Sequence, residues 1–112
     1  MNALALAKEL NLKVLVEGEG QYRDITGGIY CGDLLSLVMG RAKADCAWIT
    51  MMANVNAVAV AVLADTGCVI LSEGVQLDEA AIAKAKAQGV CILWSEEPTF
   101  ELAMKAAKAL EL

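Results

Sequence analysis

Short apolar runs alternate along this chain with longer segments in which apolar residues recur at helical spacing. The runs are apolar throughout, without the polar alternation of a strand that faces water on one side. Continuous apolar runs are typical of parallel strands covered by helices on both faces. The pattern therefore predicts an α/β fold, with a mainly parallel sheet of about four or five strands and helices on both faces. The predicted strands are 14–16, 29–31, 46–51, 68–71 and 90–94, and the predicted helices are 2–11, 33–39, 54–64, 78–88 and 99 onward.

The helix boundaries rest on capping residues. Side chains that favour the N-cap position begin four of the helices; these are Asn2, Asp33, Asp78 and, for the third helix, Asn54 or Asn56. Gly40 and Gly89 are the predicted ends of the second and fourth helices. Residues 57–63 repeat valine, so a strand is the competing interpretation there. We favour a helix for 57–63, because an asparagine can cap it and the next predicted strand, 68–71, begins shortly after it. In the final helix, Glu101 and Lys105 are spaced to form an ion pair.

Composition and charge narrow the functional classes. The 112 residues are consistent with a single domain spanning 1–112. Hydrophobic residues make up 58% of the chain although aromatics are only 4%, and this excess predicts apolar surface covered by a second copy, as in a homodimer. The net charge is −5 and the basic residues are scattered. No nucleic-acid or membrane-surface binding is therefore expected, since both need clustered basic residues.

The chain is predicted to reside in a reducing, cytoplasmic compartment. Its longest apolar segment, 55–63, is about half of the roughly 20 residues that cross a bilayer. The start of the chain, 1–9, has no basic leader of the kind that opens a signal peptide. The four cysteines include no Cys-x-x-Cys pair, and unpaired thiols suit the cytosol.

Polar turns are the candidate binding elements. The first is a tight turn with two adjacent glycines behind a hydroxyl and a carboxylate: Asp24, Thr26, Gly27 and Gly28. Other polar turns follow the later strands and contribute Asn54, Ser72, Gly74 and Thr99. Because α/β sheets bind ligands at the carboxyl ends of their strands, these turns are expected to converge on one rim. Helix N-termini at Asn54 and Thr99 would offer backbone N–H groups to an anion. The alternative is that these residues are caps and turns that only build the fold.

Catalytic and metal chemistry have little support. The chain has no histidine and no phosphate-binding loop. Asp24 with Asp33 or Glu73 is a conceivable acid–base pair, but solvated turn carboxylates are far commoner. The closest cysteines, Cys31 and Cys46, are too widely spaced for a typical cluster motif, so the cysteines are predicted to be small buried hydrophobes. No enzyme activity, metal or cofactor is predicted. Trp48 and Trp94 are assigned to the core or to a dimer interface.

The segment Asp24-Ile25-Thr26-Gly27-Gly28 resembles the signature of the DRTGG domain family, with Ile25 where the family has arginine. The resemblance covers nearly the whole chain, since the turns at 53–55, 72–74 and 98–100 are similar to later turns of the family. It implies a fold like the N-terminal domain of HPr kinase/phosphorylase. Such domains also occur inside phosphotransacetylases and beside nucleotide-binding CBS modules in pyrophosphatases. In those proteins the domain is a regulatory or dimerising module, and the resemblance implies the same role here. Small stand-alone copies of the domain are associated with iron hydrogenases.

This chain departs from the family pattern in four turns. The family arginines are replaced at Ile25 and in Ala53-Asn54, Glu73 replaces a glycine, and Pro98 replaces an aspartate. These changes remove two cations and add a carboxylate, which weakens any anion site. The sequence thus predicts a non-catalytic, homodimeric regulatory module that senses a small anionic metabolite or nucleotide at the turn rim. The alternative is a protein-interaction accessory of a redox enzyme complex such as an iron hydrogenase.

Overall fold

The computed structural model describes all residues, 1–112, and contains five strands and five α-helices. In chain order these are α1 (Ala3–Leu10), β1 (Lys13–Val16), β2 (Ile29–Cys31), α2 (Leu35–Arg41), β3 (Ala47–Thr50), α3 (Val55–Leu63), β4 (Cys68–Leu71), α4 (Glu79–Gln88), β5 (Ile92–Trp94) and α5 (Thr99–Ala109). One short 3₁₀ helix, Glu19–Tyr22, interrupts the predicted loop after β1. The helix interpretation of 57–63 is confirmed. No helix here combines the length and apolar character that crossing a bilayer requires.

The strands form one sheet in the order β1-β5-β4-β3-β2. Strands β2, β3, β4 and β5 run parallel, whereas β1 is antiparallel to β5. The mainly parallel sheet predicted from the apolar runs is confirmed. Strands β1 and β2 are its two edges, and β1 has an irregular register between Val14 and Val16.

Helices cover both faces of the sheet. On one face α2, α3 and α4 enclose a core that includes Trp48 and Leu71. On the other face α1 and α5 enclose a core that includes Ile49, Ile70 and Leu102. Successive residues of β3 point to opposite faces and both faces are covered, so all four of its residues are buried. This explains why the strands read as continuous apolar runs.

The two tryptophans lie in different environments. Trp48 is fully buried, and its Nε1 donates a hydrogen bond to the carbonyl oxygen of Gly32 at 2.9 Å. Trp94 is half-buried and donates to the carbonyl oxygen of Val75 at 2.7 Å. Trp48 is therefore a core residue.

Two of the predicted caps are present. Asn2 Oδ1 accepts a hydrogen bond from Ala5 N at 2.8 Å, and Asn54 Oδ1 accepts one from Ala57 N at 3.0 Å. Each bond spans three residues along the chain, the usual geometry of an N-cap. Asp78 occupies the N-cap position of α4 but makes no side-chain capping bond.

Three local predictions were wrong, and in two of them another partner binds the side chain. Asp33 does not cap α2; its Oδ1 accepts hydrogen bonds from Thr50 Oγ1 and Met51 N, both at 2.8 Å. Helix α2 consequently begins later, and Gly40 lies inside it. Lys105 forms its ion pair with Glu97 rather than with Glu101.

Candidate functional site

The eight residues predicted to share one rim lie at opposite edges of the sheet. Strands β2 to β5 are parallel, so residues before a strand lie at the amino edge and residues after a strand at the carboxyl edge. The turn at 24–28 precedes β2 and lies at the amino edge. The other four follow β3, β4 and β5 and lie at the carboxyl edge: Asn54, Ser72, Gly74 and Thr99. The expected single rim is therefore wrong, because the glycine turn enters its strand rather than leaving it.

Residues 17–28 form a strap across the amino edge. Gly20 N donates to Gly89 O at 3.4 Å, in front of β5, and Gly27 N donates to Asp45 O at 3.1 Å, in front of β3. The strap thus links β1, at one edge of the sheet, to β2 at the other. Asp24 is exposed and lies 3.9 Å from the N-terminal amino group, and Thr26 is exposed as well.

The two glycines of this turn are required for different reasons. A Cβ on Gly27 would lie 2.8 Å from Cys46 N and closer still to the carbonyl oxygen of Ala44. Gly28 has open space around it but has φ +74°, a left-handed conformation that favours glycine. Gly27 is therefore required by the close approach of the Ala44–Cys46 backbone, and Gly28 by its left-handed conformation.

Arg23 was not among the predicted site residues, yet it anchors the strap. Its Nε donates to Asp45 Oδ1 at 3.0 Å, Nη2 pairs with the same carboxylate, and Nη1 donates to Asp65 Oδ1 at 3.0 Å. The hydrogen bond to Asp45 is the main cause that raises the pKa of Arg23. Asp45 and Asp65 each lie in the short loop before a parallel strand, and that shared position is the sequence signal that would have identified the cluster.

A cleft of about 190 Å³ lies beside the strap at this edge. Arg23 lines it together with two carboxylates, Glu19 and Asp65. The ends of α3 and α4, which carry partial negative charge, also border it. Two acidic groups against one cation make this cleft a poor anion site.

At the carboxyl edge, polar groups are joined in one hydrogen-bonded cluster. Ser72 Oγ is fully buried and lies 2.7 Å from Thr99 Oγ1. Glu73 Oε2 accepts a hydrogen bond from Thr99 N at 2.8 Å. Gly74 N donates to Ser95 O at 3.0 Å. The structure thus brings together three of the predicted residues, Ser72, Gly74 and Thr99, around the start of α5.

Glu73 holds the position that an anion would take at this helix. The N-terminus of a helix favours negative charge, and here the chain supplies its own carboxylate. Glu73 adopts φ 62° and Gly74 φ 68°, so two consecutive left-handed residues turn the carboxylate toward α5. Each predicted polar group at this edge has an internal partner, which supports the fold-building interpretation of these turns.

The comparisons with known proteins agree with this architecture. A family model described as the DRTGG domain matches residues 5–109. The chain belongs to the DRTGG domain family. A similar solved structure comprises the CBS and DRTGG domains of the regulatory region of Clostridium perfringens pyrophosphatase, complexed with its activator, diadenosine tetraphosphate. The TM-score is 0.76 at 10% identity, covering 93% of this chain and 45% of that one. This chain therefore spans less than half of the length of that structure. The comparison with curated proteins found no match to this chain.

Within this DRTGG domain, the position of the signature arginine is part of the core. Ile25 is buried and packs with Ala3, Leu6 and the other residues under α1 and α5. Arg23, two positions earlier, forms ion pairs with Asp45 and Asp65. No arginine of the signature turn is thus free to bind a ligand.

The prediction that the cysteines are small buried hydrophobes is confirmed for three of them and wrong for Cys31. Cys46, Cys68 and Cys91 are buried, whereas Cys31 is exposed. Cys68 and Cys91 face the α1/α5 core, and Cys46 faces the opposite core. Burial raises the pKa of Cys91 to about 11 and shifts the pKa of Cys68 upward as well. No three His, Cys, Asp or Glu side chains are gathered as metal ligands would be.

We expect one fast-reacting thiol in the native protein. Burial blocks reagent access to Cys46, Cys68 and Cys91, so a chromogenic disulfide reagent at about pH 8 should modify only Cys31 quickly, even though desolvation also raises the pKa of Cys31. Adding guanidinium chloride should make all four cysteines react. A second fast equivalent in the native state would show that one of the buried thiols is accessible. In a Cys31→Ser variant the fast reaction of Cys31 should disappear, which assigns that signal.

Proposed function

We propose that this DRTGG domain is a non-catalytic regulatory module that acts as a homodimer in a reducing, cytoplasmic compartment. Its whole length, 1–112, forms the module. Family membership supports a regulatory role, because the similar structure belongs to the regulatory region of a pyrophosphatase. The buried thiols support a reducing compartment.

The observation that carries the homodimer is the exposure of large apolar side chains. Phe100 is 68% exposed, Leu34 63% and Met104 54%. Both cores are filled without them. Phe100 and Met104 lie one turn apart on α5, and adjacent large apolar side chains in water commonly mark a surface that a partner covers. A second copy is the simplest cover.

The expected result is a native mass of twice the chain mass of 11.8 kDa. Sedimentation equilibrium over a range of micromolar concentrations would measure it. A constant mass of one chain over the whole range would contradict the homodimer.

We propose a small anionic metabolite or nucleotide as the ligand and the carboxyl edge as its site. The residues that would contact it are Asn54, Ser72, Gly74 and Thr99. Support comes from Glu73, whose carboxylate already lies at the start of α5. The nucleotide class is chosen because the similar pyrophosphatase region is complexed with a nucleotide activator. The signature turn, with Asp24, Thr26, Gly27 and Gly28, is the scaffold of the opposite edge.

A ligand at this edge has to compete with Glu73, so Glu73→Gly should bind anions more tightly than the wild type. Glycine suits the left-handed conformation of this residue, which offsets the lost helix cap. Thermal unfolding against a panel of nucleotides and phosphates measures the effect, since a ligand at about 100 times its Kd stabilises by ~2.7 kcal/mol. The matched control is Glu111→Gly, which also has positive φ but lies at the C-terminal end. If no nucleotide or phosphate raised the melting temperature of either variant, the ligand site would be contradicted and the homodimer would be unaffected.

A protein partner is the second candidate. The exposed apolar side chains that favour self-association would equally suit a different protein, such as the redox enzyme that the family resemblance implies. The two candidates predict different oligomeric states for the purified protein. A stable dimer favours the first, and a monomer with the same exposed side chains favours the second.

A further inference from the structure

Helix α5 carries an apolar stripe on its outer side. Phe100 and Met104 lie one turn apart and are exposed, while Leu102 and Ala106 are buried on the opposite side. Ala103 and Ala107 are half-buried and flank the stripe. Apolar side chains therefore border the stripe on this side, and Glu101 and Lys108 border it on the other side.

The apolar surface extends from α5 to the edge of the sheet. Cys31, at the end of edge strand β2, is exposed and lies two residues after Ile29, which packs against the α1/α5 core. Alternation along the strand therefore directs Cys31 to the same face as α5. Met51 follows β3 two residues after buried Ile49 and is 43% exposed. Strand β2 also has a free edge, without the charges or proline that commonly protect such strands.

The charges beside the stripe are self-complementary. Glu101 and Lys108 are seven residues apart, so they lie on the same flank of α5, two turns from each other. Neither side chain forms an ion pair within the chain, whereas Lys105 is already paired with Glu97. In an antiparallel pair of α5 helices, the acid of each copy faces the base of the other.

We propose that two copies of this chain associate through α5, antiparallel about a two-fold axis near Met104. Glu101 then pairs with Lys108 of the partner subunit, and the symmetry repeats this contact with the roles exchanged. This inference rests on the proposed homodimer and names its interface. The exposed residues Leu34 and Leu37, at and just after the start of α2, lack such a pattern, since the neighbouring acid Asp33 is bound to Thr50.

The test reverses charges one at a time and measures the dimer Kd by sedimentation equilibrium. Glu101→Lys and Lys108→Glu each place like charges opposite one another twice, so each should raise the Kd by about tenfold or more. Mixing the two single variants restores opposite charges at both contacts and should restore the wild-type Kd. Lys84→Glu on α4, an exposed residue of the other face, is the matched control. Circular dichroism confirms that each variant is folded.

The outcomes separate the interface from the homodimer itself. Single variants that dimerise as well as Lys84→Glu would overturn the α5 interface while leaving the homodimer in place through another face. Single variants that weaken the dimer without rescue on mixing would overturn the antiparallel arrangement. A wild-type protein that stays monomeric would overturn both the homodimer and this interface.

Discussion

Replacing Gly27 with alanine is expected to destabilise the protein by ~3 kcal/mol or more, which is a large share of the roughly 5–15 kcal/mol that stabilises a typical domain. The new methyl group would be 2.8 Å from Cys46 N and closer to Ala44 O. These are backbone atoms of the loop that enters β3, so no side chain can rotate away. The strap has to shift, and with it the hydrogen bond from Gly27 N to Asp45 O. Urea unfolding followed by circular dichroism measures the loss.

The same substitution at Gly40 should have the opposite sign. Gly40 lies inside α2, is exposed, and has nothing within 4 Å of its added Cβ. Alanine there is expected to stabilise by roughly 0.5–1 kcal/mol, because glycine loses more backbone entropy in a helix. Equal stabilities of the two variants would show that the strap is not packed against the loop before β3.

Replacing Arg23 with methionine is expected to cost about 1–2 kcal/mol. Charge-assisted hydrogen bonds contribute about 1.5–3 kcal/mol each, but the three side chains of this cluster are at least a third exposed, which reduces the value. Methionine keeps most of the apolar stem and removes the guanidinium that joins Asp45 to Asp65. The two carboxylates then face each other without a cation. Thermal unfolding should report a melting temperature lower by roughly 5 °C.

Arg41→Met is the matched control for this charge loss. Arg41 is exposed in the last turn of α2 and forms no ion pair, so its removal should change the free energy of unfolding by less than about 0.5 kcal/mol. High salt should narrow the difference between wild type and Arg23→Met, since screening weakens exposed pairs. A melting temperature of Arg23→Met equal to that of the control would refute the anchoring role.

Several predictions based on short-range contacts were confirmed, although the side-chain caps at Asp33 and Asp78 and the Glu101–Lys105 pair did not form. Asn2 and Asn54 cap helices through bonds that span three residues, a distance over which the chain has little freedom. Ser72-Glu73-Gly74 was predicted as a turn, and its left-handed residues agree with that. The continuous apolar runs identified a covered, mainly parallel sheet because both faces of its strands are buried.

Predictions that needed a distant partner were wrong or were not made. Asp33 was assigned to the helix next to it, but it binds Thr50, 17 residues away. Glu73 meets Thr99 across 26 residues, and Arg23 meets Asp65 across 42. Each partner lies on a neighbouring strand or helix or in the loop before a neighbouring strand, and strand order determines which of these segments become neighbours. The glycine turn lies at the amino edge for a different reason, because it precedes β2 in the chain.

The family, the α/β class and most element boundaries could be predicted from the residues, because these follow from local pattern, capping and a signature turn. What the polar residues do became visible only in the folded structure. Gly27 is a contact point between two loops, Arg23 is bound by two aspartates, and Glu73 is the internal anion of α5. These roles depend on distances between segments far apart in the chain, which periodicity and composition do not encode.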